Sequence, residues 1–308
     1  MRKLFFTLFF SCCVLLVSSG KIQAQLLVET GLSPEDLAAI LVGEGVDVFN
    51  VTTTCPENAF GSFSGESSNL GLSDGIILTS GDAEGAQGPN NIGSFTGTDG
   101  GWAGDTDLDA ILPGFTTNDA CVLEFDFIPY ADNLSFNYVF GSEEYLEWVG
   151  SSFNDVFAFF ITGPEYPTLT NIALVPGTTL PVAIDNVNTY SFPEYFVDNG
   201  DGLYPDPEST VQYDGFTTVL TAEAAVTPCE VYHLKIAIAD AGDSAYDSGV
   251  FLEAGSLGTN FVVVTAEAVS VTVAGFNSAV EGCVDGVITF ESTTPVSSDF
   301  NISFDLAG

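Results

Sequence analysis

Two adjacent carboxylates, Glu143 and Glu144, interrupt a run of strand-forming aromatics in Phe140-Gly141-Ser142-Glu143-Glu144-Tyr145. An Asn154-Asp155 pair precedes the next apolar run, Val156 to Phe160, and Asp240, Asp243 and Asp247 follow a third, Leu234 to Ala239. Acids at the ends of apolar strands are buried or half-buried, and a carboxylate in that position must be paired, protonated or metal-bound. Basic partners are nearly absent from this chain. A hard cation held by oxygen ligands is therefore the expected chemistry, calcium above all, with Glu143, Glu144, Asn154, Asp155, Asp240, Asp243 and Asp247 as the ligand set.

Competing chemistries fit the same residues less well. A glycosidase needs two carboxyl groups roughly 5–10 Å apart across a glycosidic bond. Glu143 and Glu144, adjacent on a strand, point to opposite faces, so each needs another partner such as Asp155 or Asp243. An extracellular carbohydrate-active enzyme using paired carboxylates is the alternative reading. Gly242-Asp243-Ser244 resembles the surroundings of some serine nucleophiles, but His233 is the only base on offer and no Gly-x-Ser-x-Gly elbow occurs. No catalytic residue is assigned.

Other acidic stretches carry weaker signals. Asp105, Asp107 and Asp109 are spaced two apart and can wrap a hard cation if the segment is a loop. Asn199, Asp201, Gly202 and Glu208 match four positions of an EF-hand loop, yet Val197 takes the first ligand position and Pro205 and Pro207 interrupt the remainder. Lys235 and His233 lie two apart and share one face of the strand expected over residues 231–239. As the only lysine among so many acids, Lys235 is expected to pair with a particular carboxylate, Glu143 or Glu144 being the candidates. His233 has no second His or Cys to chelate with and reads as a hydrogen-bonded structural imidazole.

The elements that position these residues follow from composition. Residues 1–24 have the charged start, apolar run and small terminal residue of a secretory signal, and the run is shorter than the ~20 residues a membrane span needs. Arg2, Lys3 and Lys21 leave with it, so Lys235 stands alone against 42 acids. That balance excludes nucleic acid and anionic membranes as partners, and the compact state needs cations to offset self-repulsion. With 46% hydrophobic and 12% aromatic residues the chain can nevertheless build a core. No later segment is long and apolar enough to insert in a membrane. Cys55, Cys121, Cys229 and Cys283 remain; an oxidising exterior permits disulfides, and four cysteines allow three pairings between which sequence does not choose.

Ser33, Pro34 and the acids after them predict a short helix over residues 33–42, ended by Gly43 and Gly45. Strand character dominates the rest: 46–51, 75–79, 121–128, 134–140, 156–162, 217–221, 231–239 and 261–274, separated by Gly, Asn, Asp and Pro. The fold class is all-β, a jelly-roll-like β-sandwich over residues 25–260 with a short N-terminal helix. Residues 81–108, with eight glycines, and residues 185–215 are loops longer than the ~15 residues usual for a compact domain, and so the first places to seek a binding surface. Residues 261–308 read as the start of a second β domain cut short, which implies a natural chain extending beyond Gly308 and a Cys283 separated from its partner.

Several long motifs occur in order: Leu123-Glu124-Phe125-Asp126-Phe127-Ile128-Pro129, Leu134 through Tyr145, Phe153 through Phe160, Asn171 through Gly177, Tyr213-Asp214-Gly215-Phe216-Thr217, Tyr232 through Asp240, and Asp247 through Ala254. Over residues 27–258 this pattern resembles the choice-of-anchor L domain. The resemblance implies a secreted bacterial surface protein of the Bacteroidetes type, in which this domain precedes β-sandwich repeats and a C-terminal sorting or anchoring segment, often described as gliding-motility-associated or type IX secreted. It carries no established activity or ligand. The segment from Phe261 resembles the start of an Ig-like or Calx-β-like repeat. The expected function is a calcium-stabilised, non-enzymatic module of a secreted or cell-surface adhesin-like protein, contacting a glycan or a surface protein through its long loops.

Overall fold

The computed structural model describes residues 25–97, 101–204 and 209–259, and the strands at 262–268 and 286–292; the signal segment and Cys283 lie outside the described residues. Sixteen strands and two short α-helices occur in the order β1 (Leu27–Thr30), α1 (Pro34–Leu41), β2 (Val46–Thr54), β3 (Phe60–Ser64), β4 (Asp74–Thr79), α2 (Thr106–Ile111), β5 (Thr117–Pro129), β6 (Asn133–Ser142), β7 (Val156–Thr162) and β8 (Thr170–Asn171). They continue as β9 (Phe196–Asp198), β10 (Gly215–Thr217), β11 (Leu220–Ala225), β12 (Tyr232–Ala241), β13 (Ser248–Glu253), β14 (Gly258–Thr259), β15 (Val262–Ala268) and β16 (Gly286–Ser292).

Alternation of side chains along these strands dictates a two-layer arrangement. The larger antiparallel sheet runs β1-β3-β4-β13-β6-β10-β9, with β11 and β14 also paired to β6; the smaller runs β2-β5-β12-β7-β8. Their facing sides share one core, in which Phe136, Tyr138 and Phe140 of β6 meet Phe157 and Phe159 of β7 with ring centroids 4.7–5.3 Å apart. Pairs of this geometry add roughly 0.5–1.5 kcal/mol each beyond the area they bury. The all-β sandwich expected from the sequence is the observed fold. β15 and β16 pair antiparallel with each other.

Helix α1 begins as its sequence predicts: Ser33 caps it, the Asp36 carboxylate accepts from the Ser33 backbone amide, and Pro34 occupies the first turn. Cys55, just after β2, is bonded to Cys121 of β5, while Cys229 is free and exposed.

Both long loops turn out to build the fold. The outer face of the larger sheet, with Phe63, Ile77, Val139 and Phe251, is covered by Ala83 and Ala86 of the first loop and by Val211 and Tyr213 of the second. Tyr213 lies over Gly249 and Gly141, which are register partners on β13 and β6. A methyl group on Gly249 would fall 2.4 Å from the Tyr213 hydroxyl, so a bare backbone at this point is what admits the ring. The outer face of the smaller sheet is covered by α2 through Leu108 and Leu112, packed on Val122, Ala158, Phe160 and Ala237.

Candidate functional site

Strand register gathers the acids at one end of the sandwich. Ser142 at the end of β6 pairs with Ser248 at the start of β13, Ala239 near the end of β12 with Val156 at the start of β7, and Ala241 with Thr117 at the start of β5. Residues just beyond those ends must be neighbours. The Glu143 amide donates to Asp247 O at 3.1 Å, and the Asn154 amide to Ala241 O at 3.0 Å.

Asp155 anchors this end. Its Oδ1 accepts from the Ala241 amide at 3.0 Å and its Oδ2 from the Ser248 hydroxyl at 2.6 Å, while its own amide donates to Glu144 Oε2 at 3.1 Å. Asp247 Oδ2 accepts from the Gly97 amide at 2.5 Å. Asp240 is 1% exposed; the Ser80 hydroxyl lies beside its carboxyl, but neither oxygen has a partner in good hydrogen-bonding geometry among the described residues. A buried carboxylate left that way costs several kcal/mol if charged.

Burial, and then the neighbouring charges of Asp155 and Asp247, push Asp240 far above the usual carboxylate range. Burial followed by the charge of Asp155 raises Glu144 to about 10, burial raises Asp155 to about 8 against the opposing hydrogen bonds of Ser248 and Ala241, and burial raises Asp247 to about 6.

The seven acids and amides singled out from sequence do not form one set. Glu144, Asp155, Asp240 and Asp247 share this neighbourhood. Glu143 turns away, its Oε1 accepting from Gln212 Nε2 at 3.1 Å. Asn154 Oδ1 is taken by the Asp185 amide at 3.0 Å, and Asp243 is exposed, accepting from the Ala245 amide at 3.2 Å. One residue not singled out joins the site. Asp119, 1% exposed at a left-handed φ of 51°, uses Oδ1 to accept from the Gly101 and Trp102 amides at 2.5 and 2.7 Å, and its Oδ2 has no hydrogen-bond partner among the described residues. Its signal was an Asn118-Asp119 pair opening a strand, the same pattern as Asn154-Asp155. Asp214, known from the sequence only as part of a motif, lies apart with Glu143.

Lys235 corrects two expectations. Its Nζ lies 2.6 Å from both Asp105 Oδ2 and Asp107 Oδ2, so its partners are neither Glu143 nor Glu144. The Asp105-Thr106-Asp107 stretch is not a cation-wrapping loop either. Asp105 is the N-cap of α2, accepting from the Asp107 and Leu108 amides, and Asp109 accepts from the Thr117 amide at 2.7 Å. Six residues are too short for apolar periodicity to reveal a helix, which is why the sequence reads as a loop. His233 is hydrogen-bonded as expected, Nδ1 to Asp126 Oδ1 at 2.9 Å. Asn199 is a buried tie, donating to Val211 O and Tyr213 O at 2.9 and 2.7 Å.

The donor set at the sandwich end is all oxygen, the kind a hard cation takes. Among the described residues no three His, Cys, Asp or Glu side chains are already grouped for metal binding. A cation here would have to draw Asp119, Asp240 and Asp247 together. Glu143 and Glu144 are buried and engaged by different partners, so they do not present a pair of carboxyls to a substrate.

Fold and site together define a β-sandwich module with an acid-rich end and little basic residue to neutralise it. The particular family is shown by its sequence model: residues 27–258 match the choice-of-anchor L domain, and the chain belongs to that family. The family is one of extracellular, surface-associated domains and is not an enzyme family. Neither a curated protein nor a solved structure matches the chain. No helix among the described residues is long and apolar enough to cross a membrane.

Proposed function

We propose that this protein is a calcium-stabilised, non-enzymatic module of a secreted, adhesin-like surface protein. The observation that carries the calcium reading is Asp240, 1% exposed beside Asp155, Asp247 and Asp119, with the Ser80 hydroxyl as its one neighbouring donor and neither oxygen in good hydrogen-bonding geometry among the described residues. The only lysine of the chain after residue 24 is held elsewhere by Asp105 and Asp107. Asp119 and Asp247, each with one oxygen oriented by the Gly101 or Gly97 amide, would complete the shell with Glu144 and with Asp155, whose two oxygens are oriented by Ala241 and Ser248. Calorimetric melting of chelator-treated protein with and without added Ca2+ tests this, with Asp240→Asn as control. An unchanged melting temperature across the calcium titration sinks it.

Recognition is proposed to lie with what the loops leave exposed. Tyr190 is 84% exposed, Tyr204 87% and Leu203 71%, all on the second loop. Flat tyrosine faces suit a sugar ring, and the excess of acids disfavours an anionic partner. A glycan array probed with wild type and Tyr204→Ala tests this; identical profiles, or none, remove the glycan reading. Export by the N-terminal signal, type IX secretion and a following β domain from residue 261 belong to the same proposal, and localisation of the native protein with its full reading frame checks them.

A further inference from the structure

The carboxylate that left the main cluster has a setting of its own. Glu143, 0% exposed, has Oε1 on Gln212 Nε2 at 3.1 Å, the Phe95 backbone beside its carboxyl, and no partner in good hydrogen-bonding geometry for Oε2 among the described residues. Asp214, 1% exposed, has Oδ1 on Asn90 Nδ2 at 2.8 Å and no partner for Oδ2. The two amides close the chain between them, since Gln212 Nε2 also reaches Asn90 Oδ1 at 3.2 Å. The result is a run of four side chains with one bare, buried carboxylate oxygen at each end. Asn90 comes from the first long loop, Gln212 and Asp214 from the second, and Glu143 from the turn after β6.

We propose that Glu143 and Asp214 bind a second hard divalent cation, distinct from the Asp240 centre, which fastens the two long loops to the end of β6. The amide partners dictate this division of labour. Asn90 and Gln212 each donate one N–H to one oxygen of a carboxylate, which fixes its plane and leaves the other oxygen free for a ligand; water would complete the shell. Asp198, Asp201 and Glu147 add negative potential around Asp214, and no Lys or Arg of residues 25–308 other than the committed Lys235 exists to replace a cation. Strand register brings the two acids together: Gly215 pairs with Ser142 antiparallel, which places Asp214 opposite Glu143 just beyond the ends of β10 and β6. This inference does not require the Asp240 centre to bind calcium.

Isothermal titration of Ca2+ into the chelator-treated chain tests it by counting sites, with near-UV circular dichroism as the folding control. Two sites per chain are expected in the wild type and one in each of Glu143→Gln, Asp214→Asn and Asp240→Asn. Loss of one site in Glu143→Gln or Asp214→Asn with none lost in Asp240→Asn supports this inference and removes the Asp240 reading. Full wild-type uptake retained by both Glu143→Gln and Asp214→Asn overturns it. So does a single wild-type site abolished by Asp240→Asn, or no uptake at all, which would mean that the bare oxygens hold a proton. If Glu143→Gln fails to fold, Asp214→Asn decides; if both fail, one wild-type site remaining after Asp240→Asn supports the inference and none overturns it.

Discussion

The outer face of the smaller sheet and the end of the sandwich solve the same electrostatic problem differently. On the outer face, Lys235 sits between Asp105 and Asp107, and His233 bridges Asp126 and Glu124. At the end, Asp240, Asp155, Asp247, Asp119 and Glu144 are buried together, and among the described residues their donors are backbone amides and hydroxyls. The first region carries its own counter-charge in the chain. The second must take protons or cations from solvent, so its stability belongs partly to the medium.

The comparison breaks most sharply at Lys235. Lys235→Met leaves Asp105 and Asp107 facing each other without a cation. Removing one partner of a buried pair costs about 3–5 kcal/mol, and because Asp107 is partly solvated a loss nearer 3 kcal/mol is expected in denaturant unfolding. That loss should be the same with and without calcium.

Calcium should do the reverse. At a free concentration about 100 times its dissociation constant, one site stabilises the fold by roughly 2.7 kcal/mol. Chelation should remove two such increments from the wild type and one from Asp240→Asn, whose melting temperature should therefore fall by about half as much.

Gly249→Ala probes the seam between the strand ends and the second loop. Its methyl would meet the Tyr213 ring, and overpacking of this kind costs about 1–3 kcal/mol. Hydrogen exchange should then quicken in residues 209–217 while β5 and β12 stay protected.

The pH dependence separates the regions by the window in which each loses stability. Asp247, Asp214 and Asp155 are raised to about 6, 7 and 8, and Glu143 and Glu144 to about 10. The folded chain therefore holds protons that the unfolded chain, with ordinary carboxylates near pH 4, releases. In chelator-treated protein this stability is complete below about pH 4 and is lost as pH rises through 6–10. Lys235 has its burial outweighed by the hydrogen bonds of Asp105 and Asp107, which raise it above its usual value. Its contribution stays constant until the ordinary lysine range is reached and declines above it. Melting curves from pH 5 to 9 should fall without calcium and flatten with it, because the cation displaces those protons. A chelated protein whose melting temperature rises over that range contradicts the picture of the sandwich end.

Tyr204→Ala should change least, within about 0.5 kcal/mol, since the side chain is 87% exposed. Any effect it has is expected in ligand binding alone.

Much of this was legible in the residue order. The capping signals of α1, the apolar and aromatic runs of β5, β6, β7 and β12, and the placement of acids at strand ends all follow from local chemistry. His233 and Lys235 do share a face, since their β5 register partners are Asp126 and Glu124. What misled was distance along the chain. Lys235 meets acids 128 and 130 residues away, so nothing near it in sequence identifies them. Asp119 came to the Asp240 site, and Asp214 to the side of Glu143, the same way, through strand register and loop packing.

The sequence by itself determined that this protein is an all-β sandwich, that its acids far outnumber its bases, and that several of them sit where strands end. Those are consequences of periodicity and composition, which act locally. Only the tertiary structure decided which acids share a site. It parted Glu143 from Glu144, gave Lys235 to α2, and turned two glycine- and proline-rich loops into covers for a sheet. The physical reason is that a carboxylate's state depends on its desolvation and on charges a few ångströms away, and both are set by the neighbours that folding brings from distant parts of the chain.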